Sequence, residues 1–307
     1  MNILTFARTA KLTEQSWEVR LKKGDLRKIT YDGYCLRLEL LIRQFGKRML
    51  WEIQREDIQK YLEQQILNQS VVTANRVLFV LKQVFKTGHR EKAILNNPVA
   101  GMSYSSERNH ARTRFLLPNQ IEDLTNACQQ LQGVRYMPSL ILLGAEHGTS
   151  KQEALSLKWT DIDFKYKGRG LIDFYRTKNG VRRTVPLMPR TKQALLKWKE
   201  YQAWVRHRKR IDSNGSPLVF SKMDGRPIKG FWKSWKKVCK IAEIDNFRYH
   251  DLRHTFCSNL LLSGASLKDV KDMIGHRHLD TTDRYSHLTG FHKAKLYDRL
   301  SLHYSEA

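Results

Sequence analysis

YHDLRHTFCSNLLLSGASLKDVKDMIGHRHLDTTDRYSHL, residues 249 to 288, gathers five histidines, three arginines and a late tyrosine within forty positions. Its first part reads as a helix. His250 and Arg253 stand three residues apart, which places both on one face. Phe256, Leu260 and Leu261 supply a buried stripe, and Gly264 fits the stop. A second helix follows, with Ser266 as cap, Asp269 three residues on, and Gly275 at its end. His276 therefore leaves a helix terminus, suited to reach another surface. LDTTDRY begins a new turn, with Asp280 or Thr281 as cap, and leads to Tyr285. Three histidines at 276, 278 and 287 raise the question of zinc. No cysteine or acidic fourth ligand lies at a usual spacing, so no metal is expected.

Working outward, GLIDFYRTKNGVRRTVPL (170 to 187) carries the clearest β signal. Two β-rich runs flank Asn179-Gly180, the preferred pair for a two-residue type I′ hairpin. The rest of this half reads as helical. LPNQIEDLTNAC restarts a helix after residue 114, with Asn119 as N-cap and Glu122 closing a capping box. Towards the N-terminus, residues 12 to 100 are helical in pattern. Tyr34, Leu38, Leu41 and Phe45 share one face, and so do Val77, Leu81, Val84 and Phe85. Pro98 stops the last helix. SYSSERNHART, polar and without periodicity, separates the two halves as a linker. The expected fold is mainly α with one small antiparallel β-sheet.

Lys and Arg total 55 against 30 Asp and Glu, a formal charge of +25. A surplus that large repels itself unless a polyanion neutralises it, which favours nucleic acid over an acidic membrane surface. Between Lys165 and Arg210 fifteen basic residues face only Asp173 and Glu200. KGFWKSWKK (229 to 237) interleaves lysine with aromatic rings, as suits a surface tracking phosphates and sugars. Arg176, Arg182, Arg183, Lys233 and Lys236 are the expected DNA contacts. No run of eighteen apolar residues is present, and the N-terminus lacks the apolar core of a signal peptide. Cys35, Cys128, Cys239 and Cys257 show no CxxC spacing. A cytoplasmic, nucleoid-associated protein with reduced thiols is expected.

HxxR, then GH, then a tyrosine nine residues later resemble the C-terminal signature of the tyrosine recombinases, the phage integrase family. The resemblance covers nearly the whole chain. It implies a helical, SAM-like core-binding domain over residues 12 to 105, preceded by a leader (1 to 11) and followed by a linker (106 to 113). An α+β catalytic domain (114 to 290) and a tail (291 to 307) complete it. By the same resemblance Tyr285 is the nucleophile that forms a 3′-phosphotyrosyl link, and Arg253 is a bidentate phosphate donor. His250 and His276 bond the phosphate or manage a proton, and Lys178 protonates the leaving 5′-oxygen. Neither metal nor other cofactor is implied. The partners implied are double-stranded DNA and, on it, a homo-tetramer whose tail (Phe291, Leu296, Leu300, Leu302) docks on a neighbouring protomer or packs on its own domain.

One departure matters. The family pattern Gly-x-Arg-x-x-Glu here reads GTSKQE, so Ser150 stands where the first catalytic arginine belongs. Serine has no guanidinium fork. Three expectations follow: Lys151 or another cation substitutes, the enzyme is slow, or the chain binds DNA without cutting it. A type IB topoisomerase shares the chemistry.

Overall fold

The computed structural model describes residues 3–107, 114–176, 181–210, 216–275, and 297–298, 300–302 and 304–305 of the tail. The chain divides into two compact units, Met1–Ala111 and Arg112–Ala307.

The first unit is mainly helical among its described residues. Helices α1 (Phe6–Lys22), α2 (Lys28–Phe45), α3 (Arg55–Asn68) and α4 (Val71–Arg90) build it. Thr5 caps α1 by accepting from the Arg8 amide, and Ser70 caps α4 by accepting from the Thr73 amide. The faces foreseen on α2 and α4 are the ones buried, through Leu38, Leu41, Phe45, Val77, Leu81, Val84 and Phe85. Tyr34 stays partly exposed and packs against Trp17, ring centres 5.1 Å apart. The first helix begins at Phe6, inside the stretch expected to be a leader. Phe6 and Ala10 are fully buried, and Phe6 packs against Phe45 and Phe85. Burying one aromatic ring is worth roughly 2 kcal/mol, enough to hold these residues within the domain.

In the second unit α6 (Met137–His147) is the buried centre, with Met137, Leu140, Ile141 and Leu143 fully enclosed. Against it lie α5 (Pro118–Ala127), α8 (Pro189–Arg208) and α10 (Asp251–Leu262), with α9 (Trp232–Ile241) packed on α5, while the short α7 (Lys151–Leu155) continues from its C-terminal end. Helix α11 (Leu267–Ile274) packs on α10. Its capping box of Ser266 and Asp269, and its left-handed end at Gly275, match the sequence expectation. Helix α5 does not. Pro118 occupies its first turn, and the Gln120 side chain accepts from the Leu117 amide at 3.0 Å. Proline fits the first helical position because no amide is needed there, so the cap falls at Leu117, two residues before Asn119.

Three antiparallel strands, β1 (Ile162–Asp163), β2 (Leu171–Arg176) and β3 (Val181–Pro186), form the sheet in the order β1-β2-β3. Arg176 pairs with Val181. A two-residue turn at Asn179-Gly180 would have paired Lys178 with Val181. The observed register sets Ile172 opposite Val185, and Phe174 opposite Arg183. The guanidinium of Arg183 lies 4.4 Å from the centre of that phenyl ring. The turn residues 177 to 180 lie outside the described residues.

Candidate active site

Three segments meet at the C-terminal end of α6. Gly148, with φ of +61°, turns the chain out of α6, and Ser150 starts α7 two residues later. A side chain at 148 would strike Phe256, whose Cδ1 would lie 2.6 Å from the added Cβ. Glycine is required there on both counts.

Ser150 completes a capping box: its hydroxyl accepts from the Glu153 amide at 3.2 Å, and Glu153 accepts from the Ser150 amide at 2.7 Å. Lys151 is exposed, and its ammonium lies 5.5 Å from the centre of the Phe231 ring. That ring in turn meets Tyr249 edge to face, at 4.9 Å. Tyr249, which precedes His250, is buried. Its hydroxyl donates to the Leu140 carbonyl at 2.9 Å, and burial pushes its pKa well above the usual phenol value.

His250 and Arg253 sit at the start of α10 but differ in burial. His250 is exposed at the helix entrance, with its ring 5.6 Å from that of His254 at a nearly perpendicular angle. Arg253 is 4% exposed. Its Nη1 donates to the Gly148 carbonyl and, at 3.3 Å, to the Glu153 carboxylate; Nη2 donates to the Ile274 carbonyl at 2.6 Å. One guanidinium thus ties α6, α7 and α11 together. Because Glu153 is almost equally buried, removing either partner would leave a charge stranded in the interior. Glu153 is the site residue that the sequence reading matched to the family pattern without assigning it work. A buried acid three residues beyond a helix cap was the available signal.

The other expected residues separate into groups. Lys233 and Lys236 are exposed on α9, and the Lys236 ammonium lies 5.3 Å from the Trp232 ring centre. Arg182 is exposed on the outer face of β3, paired with Asp173 and stacked 5.5 Å over Tyr175. That pair holds the Asp173 carboxyl below its ordinary pKa. Arg176 ends β2, and nothing is described of its side chain. Arg183 departs from expectation. It points to the interior, donating to the Met273 carbonyl at 2.8 Å and the His147 carbonyl at 2.9 Å. Strand alternation is the reason: Arg183 shares the inward face with Val185. Lys178, His276 and Tyr285, with His278 and His287, lie outside the described residues.

His147 closes the interior side of the site. It is 2% exposed, and burial, reinforced by the Arg183 charge, pushes its pKa down to about 3. Its imidazole is therefore neutral at physiological pH. Among the described residues, no three His, Cys, Asp or Glu side chains converge as a metal site, and no helix is long and apolar enough to cross a membrane.

Comparison with known proteins decides the family. The family model described as "Phage integrase family" matches residues 114–291, more than half of the chain. The chain belongs to the phage integrase family. Among its relatives, the tyrosine recombinase XerC of Thermodesulfovibrio yellowstonii is 28% identical over 287 residues, covering 92% of each chain. The ICEBs1 integrase of Bacillus subtilis is 25% identical over 261 residues, covering 80% of this chain and 68% of the integrase. Solved structures share the integrase fold. A lambda integrase dimer bound to a COC′ core site aligns with TM-score 0.72 at 17% identity, over 92% of this chain and 77% of that one. The XerH recombinase bound to a palindromic difH substrate gives 0.71 at 20%, over 94% and 84%.

Proposed function

We propose that this integrase-family chain is a site-specific DNA recombinase, cutting and rejoining double-stranded DNA through a 3′-phosphotyrosyl link on Tyr285. The observation that carries the reading is the bond from Arg253 to the Ile274 carbonyl. It fixes the helix end one residue before Gly275, from which the chain runs on to His276 and Tyr285. The named functions of XerC and of the integrases bound to DNA support the same reading.

In this mechanism the Tyr285 oxygen attacks the scissile phosphorus as its hydroxyl proton passes to His250 or His276, the bond to the 5′-oxygen breaks, and Lys178 donates a proton to that leaving oxygen. The phosphorus is then linked to the tyrosine, and the free 5′-hydroxyl of another strand reverses the step. Bond energy is conserved in the link, so neither ATP nor metal is needed. Arg253, His250 and His276 stabilise the negative charge that grows on the phosphate oxygens in the transition state. Arg176, Arg182, Lys233 and Lys236 hold the duplex by its phosphates. The helical unit over residues 12 to 105 also binds the DNA, and four protomers assemble on two duplexes in the nucleoid. Incubation with a nicked suicide duplex should trap a covalent complex that Tyr285→Phe abolishes. Absence of any adduct on a duplex that the protein binds specifically would sink the reading.

A second reading, a DNA-binding accessory protein with impaired catalysis, is favoured by one observation. Ser150 is fully used as the cap of α7 and offers a phosphate no cation. Ser150→Arg separates the two. A rise in cleavage of tenfold or more identifies a weakened centre. An unchanged rate shows that another cation, with Lys151 the nearest in sequence, already fills the place.

A further inference from the structure

Arg183 and Arg253 make parallel use of the same two helix ends. Helix α6 ends in the carbonyls of His147 and Gly148, and α11 ends in those of Met273 and Ile274. Arg183 bonds the first of each pair, His147 and Met273, at 2.9 and 2.8 Å. Arg253 bonds the second of each pair, Gly148 and Ile274. Both helices finish in a left-handed glycine, Gly148 and Gly275, and carbonyls in a last turn have no partner within their own helix. Such ends also carry the negative pole of the helix dipole, which favours a guanidinium. The clamp therefore satisfies four terminal carbonyls with two cations.

Arg253 belongs to α10, but Arg183 belongs to β3, the strand that follows the turn bearing Lys178. We infer that Arg183 is a positioning residue of the recombination reaction, locking the Lys178 hairpin to the end of α11 from which His276 and Tyr285 depart. Its ring contact with Phe174 on β2, at 4.4 Å, ties the other hairpin strand into the same lock. A lysine cannot replace it, because one ammonium on a flexible stem does not span two carbonyls in fixed directions. Arg183 is thus set apart from Arg182 beside it, which faces outward on the strand. The inference rests on the proposed recombinase activity, and one of its tests does not.

The experiment uses full-length protein, wild type and the variants Arg183→Lys and Arg183→Met. The probe is a nicked duplex selected for binding from a random-sequence pool by the wild type. Both variants should bind it within threefold of wild type but form the covalent complex at least thirtyfold more slowly. A substrate with sulfur in place of the bridging 5′-oxygen needs no proton on leaving, and it should recover at least tenfold of that loss. Amide exchange without DNA should quicken at least tenfold at the end of α11, and stay unchanged in α5. Wild-type cleavage by either variant, or a loss of affinity that accounts for the whole defect, overturns the inference. So does full rescue by lysine, or unchanged exchange at residues 273 to 275. If the wild type itself yields no adduct, the recombinase reading fails, and the exchange result alone decides whether the clamp exists. Should Arg183→Met not fold, Arg183→Lys carries each comparison.

Discussion

Ser150 shows how one residue can be optimal for structure and deficient for chemistry. Its hydroxyl and the Glu153 carboxylate cap each other's amides, an arrangement arginine cannot reproduce. Ser150→Arg should therefore lose about 1 kcal/mol of unfolding free energy in urea, even where cleavage improves. His147 makes a second prediction at this scale. Its pKa is about 3 in the folded chain, by burial first and Arg183 second, and near 6.5 when unfolded. A histidine held neutral stabilises above the unfolded value. As pH falls from about 6.5 towards 3, the unfolded chain takes a proton that the native chain refuses, at a cost of up to about 1.4 kcal/mol per pH unit. Denaturation curves between pH 6.5 and 4.5 should steepen this loss in wild type relative to His147→Gln. Parallel curves would contradict it. The inward turn of Arg183 was legible in principle, since it shares parity with Val185, but a basic residue in a basic run invites the outward assignment.

Among elements, the best-foreseen were those whose ends are fixed by local chemistry. Helix α11 needs only Ser266, Asp269 and Gly275 to set its limits, and all three lie within ten residues. The hairpin was harder. The observed hairpin register and the one that a turn at Asn179-Gly180 would set differ by two residues, and a shift of two keeps the same side chains inward because it preserves strand parity. Its choice rests on pairs made across the sheet, Ile172 with Val185 and Phe174 with Arg183. The start of α5 was misplaced because Asn119 is a good cap in isolation, whereas Pro118 already suits the first turn. The junction of α6 and α7 is the element on which the site depends most. Gly148→Ala would add left-handed strain and press a methyl group onto Phe256. Roughly 2–4 kcal/mol of stability should be lost, with a melting temperature lower by several degrees. An unchanged melting temperature would show that the turn relaxes without Phe256 resisting it.

At the scale of the whole molecule, the surplus of 25 positive charges pointed to nucleic acid before any motif was read. The family signature lies in the C-terminal half, within the residues 114–291 that the family model matches. What composition could not supply was the bonding of the interior, where Glu153, Arg183 and Arg253 join segments a hundred residues apart. The tail bears on the proposed assembly. Tyr297, Leu300, Leu302 and Tyr304 are exposed, at 75, 45, 61 and 73%. Apolar side chains in that state suit contact with a second protomer. Truncation after Gly290 should leave the melting temperature within about two degrees and single-site binding intact, while abolishing paired-site complexes in native gels. Unimpaired pairing would return the tail to its own domain. The central claim, strand cleavage by Tyr285, is tested most directly by mapping the covalent adduct by mass spectrometry after digestion of a trapped suicide complex. The account predicts one nucleotide-bearing peptide, linked through Tyr285 to a 3′-phosphate, with a free 5′-hydroxyl on the released strand. An adduct on another residue, or a 5′-phosphate link, would contradict it.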